Sequence, residues 1–450
     1  MLELTKQAAE FASTIRFADL PERCVEAVTL GAVDCVGAMV AGADEEAVRI
    51  VASTVPESRD ADAVPQIPDG RRLSAPDAAL VNGVAAHVLD YDDVALSGHP
   101  SAVLVPALLA EGHVLDRSGE EVAAAYAAGY EIWALLEALE PGPFHERGFH
   151  PTAVLGTVAT SAACARLHRL NPDKSIHAVA IGASLASGLV ANFGTMTKSL
   201  HAGRTAQSGI VAARLAAAGF TGATDVLEHR TGFMRAHSPT SKPELDGTSA
   251  GLGKTWRMLE YGVNIKRYPT CYATHRAIDA MIDLAVEHDL APQKVREIRV
   301  RTGTTQSLML RNVHPQTGLE AKFSMQFAMA SALVARRVGL SELTDEFVRR
   351  PDVSRLFDKV VVTVTEEKSE LDFAPDDRVG VVLADGRLIE HPPVAKAKGS
   401  WARPLGRSEL EEKFIDCAGR RLDRAHCERL LGQLCEIARL RSVRELALTR

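Results

Sequence analysis

The cysteines of this chain show no regular spacing. Its seven cysteines are scattered over 450 residues, and no two of them form a C-x-x-C pair. Disulfide scaffolds and zinc knuckles both depend on regularly spaced cysteines, so neither is indicated. The N-terminal segment mixes acidic, basic and apolar side chains and lacks the uninterrupted apolar core of a signal peptide. We therefore expect a cytoplasmic protein.

Signals for nucleotides, nucleic acids and membranes are also missing. No glycine-rich turn follows a strand near the N-terminus, which disfavours a Rossmann nucleotide site. A net charge of −7 provides no electrostatic footprint for nucleic acid. The most membrane-like run, residues 176–194, is built largely of small residues and includes His177. True membrane spans are dominated by larger apolar residues, so we expect a buried helix here and no membrane partner.

What the first half does contain is helix after helix, from residue 3 to about 235, with no convincing strand. Glycines, prolines and polar turns separate alanine-rich amphipathic stretches. The predicted helices span 20–41, 75–89, 101–114, 118–139, 152–168, 174–190 and 205–218.

The pattern changes after about residue 255, where strand signals alternate with helical ones. The predicted strands are 295–301, 359–365 and 378–384, and the last leads into an Asp-Gly hairpin signal. Helical patterns cover 274–287, 321–337 and 343–349, and another begins at Ser408, a suitable N-cap.

Length and pattern together predict two domains. A single core rarely grows beyond about 250–300 residues. We expect a mainly α protein in which residues 1–262 and 401–450 form a large helical domain. Residues 263–400 form a smaller, inserted α+β domain.

Three carboxylates crowd the end of the predicted helix 75–89. Asp90, Asp92 and Asp93 lie where the helix macrodipole is negative, which is an unfavourable place for acidic groups. They form either a solvated acidic turn or a cluster that orients a neighbouring histidine or binds a cation.

A hexad, H-P-[S/T]-A-V-L, opens two different helices, at His99 and at His150. Proline is favoured at the first helical position, so each histidine lies at or beside an N-cap. The positive end of the helix dipole favours a neutral imidazole and attracts carboxylates. If the two helix starts converge, they would bind an anionic substrate and supply acid and base; otherwise the histidines are caps.

A basic segment at residues 194–204 carries Lys198, His201 and Arg204 before a helix of small residues. It is either a surface loop or the local positive pocket that an acidic protein needs to bind a di- or trianion.

A second basic segment, residues 265–279, carries Lys266, Cys271 and His275 where the helical half meets the mixed half. Clefts between domains are preferred sites for small ligands. Lys266 and His275 are candidate substrate-binding residues, with Cys271 a third.

These five segments, in this order, resemble the MmgE/PrpD family, which includes 2-methylcitrate dehydratases, cis-aconitate decarboxylases and an iminodisuccinate epimerase. The similarity covers nearly the whole chain. It is carried by the blocks ALVNGVAAHVLDYDD, GFHPTAVLGT, TKSLHAGRTAQSGIVAARLAAAGFTG, IKRYPTCYATHRAID and AKFSMQFAMA.

The resemblance implies a helical domain built from the N-terminal half and the C-terminal tail, with the α+β domain as a lid. It also implies a homodimer, a site between domain and lid, and neither a metal nor another cofactor. The positions that match pocket residues of the decarboxylases are Asp90, His99, His150, Lys198 and Lys266.

Three matched positions depart from the decarboxylase pattern. Val94 replaces a threonine, Cys271 a histidine and Phe327 a tyrosine. We take the loss of three polar groups as an argument against cis-aconitate decarboxylation and for another substrate.

The favoured hypothesis is dehydration of a small β-hydroxy polycarboxylate. Lys198 and Lys266 would hold substrate carboxylates. Asp90 would orient an imidazole, while His99 and His150 exchange protons with the α-carbon and the departing hydroxyl. The further candidates for substrate binding are Asp93, His201, Arg204, Cys271 and His275.

Two alternatives use the same residues. Two bases on opposite sides of an α-carbon, with no leaving group, would make the chain an epimerase or isomerase of a dicarboxylate. The chain could also be a ligand-binding module without catalysis, because a fold alone does not guarantee function. Decarboxylation ranks with this last alternative, below dehydration and epimerisation.

Overall fold

The computed structural model describes residues 3–140, 142–245, 251–369 and 373–450, and it is mainly α. The α-helices of the first and last parts of the chain are α1 Leu4–Thr14, α2 Glu22–Gly42, α3 Glu46–Thr54, α4 Ala75–Val88, α5 Pro100–Leu115, α6 Gly119–Ala138, α7 Pro151–Leu167, α8 Pro172–Leu185, α9 Met196–Ala217, α10 Phe233–His237, α11 Arg257–Tyr261, α18 Arg407–Ala418 and α19 Arg424–Cys435.

The middle of the chain mixes helices and strands. Its helices are α12 His275–Glu287, α13 Thr304–Met309, α14 Gly318–Ala321, α15 Met325–Ala335, α16 Asp345–Arg349 and α17 Pro351–Ser354. The strands of the described residues are β1 Val64–Pro65, β2 Arg72–Leu73, β3 Val295–Gly303, β4 Val360–Thr365, β5 Arg378–Leu383 and β6 Leu388–Glu390.

The chain divides into two compact units, one of residues 1–265 and 406–450 and one of residues 266–405. Both boundaries fall a few residues later than predicted. Residues 263–265 stay with the first unit because Asn264 and Val94 exchange backbone hydrogen bonds of 2.9 and 3.0 Å. At the other boundary, a turn in which Ser400 and Arg403 pair keeps residues 401–405 with the second unit.

Local sequence explains where the helices of the first unit begin. Proline occupies the first turn of α4, α5, α7 and α8. Ser118 caps α6 in a capping box with Glu121. The hexad histidines lie at the N-caps of α5 and α7, as predicted, and neither side chain makes a capping hydrogen bond.

Helices α4 and α9 approach each other closely through glycine. A Cβ added at Gly83 would lie 2.8 Å from the Cα of Gly203, so only glycine fits. These helices carry the acidic turn and the first basic segment, so their close approach brings the two together.

Four predictions for the first unit need correction. Helix α9 begins at Met196, nine residues before the predicted 205, because Thr195 caps it there. Helix α8 ends at Leu185, short of the predicted 190. The helical half also contains the two-residue antiparallel strands β1 and β2, and α18 takes Gly406, not Ser408, as its N-cap.

The most membrane-like helix is α2, not the predicted run 176–194. It is the one described helix long and apolar enough to cross a bilayer, and 78% of its apolar window is buried in the protein. A buried core helix passes the same test, so length and composition alone are weak support for a membrane span.

The second unit contains a four-stranded mixed sheet in the order β4-β3-β5-β6. Strand β3 pairs in parallel with β4 and antiparallel with β5, which forms the predicted hairpin with β6. Helices α12 and α15 contribute Ile278, Met281 and Met329 to the same apolar core as Val300 and Val381 of the sheet.

Candidate active site

The acidic turn after α4 points into the first unit. Asp90 adopts a left-handed backbone conformation, with φ of 54°, which aspartate tolerates better than most residues. The exposed fractions of Asp90, Asp92 and Asp93 are only 5%, 0% and 0%. This burial is incompatible with a solvated acidic turn and favours the carboxylate cluster.

Asp92 lies between two buried imidazoles. Its Oδ2 is 2.9 Å from Nδ1 of His87, in the last turn of α4, and 2.9 Å from Nδ1 of His99, at the start of α5. The two rings pack edge to face with centroids 4.3 Å apart. We call His87, Asp92 and His99 the histidine–aspartate cluster.

The neighbours of each Nδ1 select the tautomer. His87 Nδ1 faces both Asp92 oxygens, and His99 Nδ1 also lies 2.9 Å from the Asp93 carbonyl oxygen. Because these partners are acceptors, each Nδ1 carries the hydrogen in this assignment. The Nε2 atoms are therefore the ones that can exchange protons with a substrate.

The two hexads converge, as the catalytic hypothesis requires. The backbone N–H of His99 donates to Thr152 Oγ1 of the second hexad at 3.2 Å. His150 is almost fully buried, and its ring stacks at 6.1 Å from that of His87. The residues of the two helix starts thus form one site.

His150 contacts an imidazole where His99 contacts a carboxylate. Its Nδ1 is 3.1 Å from Nδ1 of His201, on α9, so one ring must donate to the other. Phe193 packs edge to face against the His150 ring at 4.8 Å. His201, which was predicted to bind substrate, is thus a direct neighbour of His150, a candidate acid–base residue.

Lys198 supplies the positive charge of the site. It lies in the first turn of α9, not in a surface loop, and only 9% of the residue is exposed. Its ammonium donates to Asp90 Oδ1 at 2.6 Å and lies 5.5 Å from the centre of the Phe193 ring. A partly desolvated ammonium of this kind is suited to a substrate carboxylate.

The carboxylate seen to contact imidazoles is therefore Asp92, whereas Asp90 binds the lysine. The orienting role was predicted for Asp90, and His87 was not among the predicted site residues. The available signal was the position of His87, in the last helical turn before three carboxylates. Its contact with Asp92 depends on a reversal of the chain that spacing alone does not show.

Burial favours the neutral form of the His87, His150 and His201 imidazoles. It lowers the pKa of His87 to about 3. Burial, followed by the charge of Lys198, holds the pKa of His150 well below its ordinary value and lowers that of His201. Neutral imidazoles are ready to accept a proton.

The neighbouring carboxyls Asp92 and Asp93 have opposite charge preferences. Burial raises the pKa of Asp92, but its contacts with His87 and His99 outweigh burial and hold the pKa well below its ordinary value. Burial, together with the charges of Asp34 and Asp92, raises the pKa of Asp93 well above its ordinary value. These surroundings thus favour the ionised form of Asp92 and the neutral form of Asp93.

The histidine–aspartate cluster also has the composition of a metal site. One possible ligand atom from each of its three residues lies within 4.8 Å of the others. Ligands of a tetrahedral zinc, each about 2.0–2.1 Å from the ion, would lie roughly 3.3 Å apart. The contacts of 2.9 Å are shorter and fit shared protons better.

The remaining predicted residues are Arg204, Lys266, Cys271 and His275. Arg204 is on the exposed face of α9 and bonds to Gln207. Lys266, Cys271 and His275 belong to the second unit. There Cys271 packs against the apolar core, and His275 is fully buried between Tyr268 and Tyr272.

Comparisons with known proteins agree with the sequence resemblance. Human cis-aconitate decarboxylase is 29% identical over 436 residues, which cover 91% of this chain and 87% of the human protein. The mouse enzyme is 28% identical over 385 residues, 80% of this chain and 75% of its own. The Aspergillus terreus enzyme is 24% identical over 478 residues, 98% and 95% of the two chains.

Family profiles cover both units. The MmgE/PrpD N-terminal domain matches residues 6–246, and the MmgE/PrpD C-terminal domain matches residues 268–436. The predicted resemblance is confirmed: the chain belongs to the MmgE/PrpD family.

Proposed function

We propose that this chain is a cofactor-independent lyase that moves a proton at a carbon atom next to a carboxylate of a small di- or tricarboxylic acid. The observation that carries the proposal is the histidine–aspartate cluster, with His150 and Lys198 beside it. Together these residues supply acid–base groups and a positive charge in one buried place. Burial strengthens both kinds of interaction because water no longer competes for them.

The partners of the two hexad histidines suggest different roles. Asp92 stabilises a proton on His99, so His99 is the proton donor. Burial and then the charge of the Lys198 ammonium oppose a positive charge on His150, so His150 is the base. Lys198 exchanges part of its contact with Asp90 for a substrate carboxylate. Lys266, predicted from the resemblance, would bind a second one.

Decarboxylation of an unsaturated tricarboxylate is the first candidate reaction, because the named relatives are cis-aconitate decarboxylases. The π electrons of the substrate would take the proton of a protonated His99. The electron pair of the bond to the departing carboxylate would form the new double bond as CO₂ leaves. His99 then regains a proton from water, so atoms and charge balance.

Decarboxylation therefore comes before dehydration here, the reverse of the order expected from the sequence. Of the three positions that depart from the decarboxylase pattern, Phe327 has no exposed surface and packs edge to face against Phe347. Its difference from tyrosine is therefore consistent with core packing. Val94 and Cys271, both partly exposed, remain arguments for a different substrate.

Dehydration of a β-hydroxy acid is the second candidate, and the neutral state of His150 favours it. His150 would take the α-proton, and the C–H electron pair would form the double bond. The hydroxyl would leave with its bonding pair and be protonated by His99 to give water. This reaction begins with removal of a proton by a base, and a buried, neutral His150 can accept that proton.

Proton NMR in heavy water with a panel of hydroxy and unsaturated di- and tricarboxylic acids tests the proposal. Loss of a carboxylate with release of CO₂ identifies a decarboxylase, and an olefinic product without CO₂ identifies a dehydratase. Deuterium at the α-carbon with no other product identifies the epimerase. The variants are His150→Asn and Lys198→Met, with His229→Asn, on the surface of the same unit, as the control.

No exchange and no product across the panel would refute the proposal. A binding module would then show the same affinity for a carboxylate in the wild type and in His99→Asn. Metal analysis of the active protein tests the cofactor-free part, since stoichiometric zinc or iron that is required for activity contradicts it.

We further propose that the chain is a homodimer, which rests on the family resemblance. Sedimentation equilibrium at micromolar concentration tests it, and a single species with the mass of one chain, 48.3 kDa, would contradict it.

A further inference from the structure

Lys413, on the C-terminal helix α18, is buried to an unusual degree for a lysine. Only 6% of its side chain is exposed, whereas lysine is almost never buried without a partner. Its ammonium donates to Asp34 Oδ1 at 2.5 Å and to the backbone carbonyl oxygen of Tyr91 at 2.8 Å. It also lies 4.0 Å from the centre of the Tyr91 ring.

Tyr91 is the residue between two parts of the candidate site. Asp90, before it, binds Lys198, and Asp92, after it, contacts both His87 and His99. The Lys413 ammonium therefore binds both the carbonyl and the ring of the one residue that links these two carboxylates.

The acidic turn needs such an anchor for two reasons. Asp90 is in the left-handed region, which aspartate tolerates but does not prefer, so the turn does not hold its shape by local preference. The turn also places Asp93 where the charges of Asp34 and Asp92 both act on it. A buried ammonium among these groups offsets their repulsion and opposes the upward shift in the pKa of Asp93.

We propose that Lys413 is a positioning residue of the active site, which holds the acidic turn so that Asp92 faces His87 and His99. The C-terminal segment then acts in catalysis without contacting substrate. This inference rests on the proposed function for its kinetic consequences, whereas its structural consequence at His99 does not.

The test compares the double variant Asp34→Asn/Lys413→Met with Phe414→Leu. The double variant removes the ammonium without leaving its buried partner charged. Phe414 is the next residue on α18 and packs against Gly37, so its truncation weakens the docking of the helix but leaves Lys413 in place.

Two readouts separate positioning from stability. The first is the ¹⁵N NMR spectrum of the imidazoles, with the His99 signal assigned by its loss in His99→Gln. In the wild type and in Phe414→Leu, we expect the Nδ1–H tautomer at His99, and in the double variant a mixture of tautomers. The second is steady-state kinetics, in which misplacement of a catalytic group costs about 100-fold in kcat, with little change in KM.

A His99 spectrum in the double variant like that of Phe414→Leu would overturn the inference, and so would equal kcat values. If no substrate is found, the NMR comparison still decides it, so its failure is distinct from failure of the proposed function. If the double variant does not fold, Tyr91→Ala removes the ring beside the ammonium and leaves Asp34 paired; it should shift the same His99 signal less.

Discussion

The two H-P-[S/T]-A-V-L helix starts have the same local structure and different chemical surroundings. In both, proline opens the helix, and the histidine lies at the N-cap without capping it. Yet His99 Nδ1 contacts the carboxylate of Asp92, whereas His150 Nδ1 contacts the imidazole of His201. The repeated motif determines where each ring lies, and residues from other elements determine which ring can hold a charge.

The largest expected effect comes from removing the carboxylate that distinguishes His99. Asp92→Asn leaves the shape of the side chain but removes the negative charge between two imidazoles. By analogy with other carboxylate–histidine pairs, we expect kcat to fall by roughly 10³–10⁴-fold. Steady-state kinetics measure this, with Asp173→Asn, on an exposed helix start, as the control. A loss below tenfold would show that Asp92 does not orient the proton donor.

The second prediction separates the two histidines by their roles. Loss of either His99 or His150 as an acid–base group should lower kcat by about 10²–10⁴-fold. With a β-hydroxy acid in heavy water, His150→Asn should abolish exchange of the α-hydrogen. His99→Asn should retain exchange and lose the olefinic product. The reverse pattern in NMR would exchange the two assignments.

The third prediction concerns the positive charge of Lys198. Lys198→Met should raise KM about 10- to 100-fold, because a charge-assisted hydrogen bond to a substrate carboxylate is lost. The change also leaves Asp90 buried without its ammonium. Lys198→Met/Asp90→Asn is therefore the matched variant. Recovery of the wild-type KM in that double variant would mean that Lys198 serves Asp90 and not the substrate.

The smallest expected effect is on the stability of the folded protein. It comes from His87, which contacts Asp92 together with His99. The pKa of His87 is about 3 in the folded protein, against about 6.5 in an unfolded chain. Between these values only the unfolded chain binds the proton, so the free energy of unfolding falls as pH decreases. One proton contributes about 1.4 kcal/mol per pH unit.

Urea unfolding between pH 6 and pH 4 measures that slope. The amide of His87→Asn can still donate to Asp92 but does not titrate, so its slope should be shallower by about one proton. His229→Asn, the same exchange at an exposed position, is the control. Equal slopes for His87→Asn and the wild type would mean that His87 is already protonated when folded.

Much of the architecture could be predicted because local chemistry decides it. Proline after histidine marks the starts of α5 and α7, and β-branched alternation marks β3 and β4. The start of α9 was missed because Thr195 caps a stretch whose charged residues resemble a loop. The pair β1 and β2 was missed because two-residue strands carry no periodicity.

The sequence by itself determined the family, the helical character and the identity of most side chains in the site. Only the tertiary structure decided that Asp92 contacts two imidazoles, that Asp90 binds Lys198 and that Lys413, more than three hundred residues away, binds Tyr91. Periodicity and capping act within a few residues, so a sequence pattern reports them directly. Charge states depend on burial and on neighbours from distant segments, and these exist only after the chain has folded.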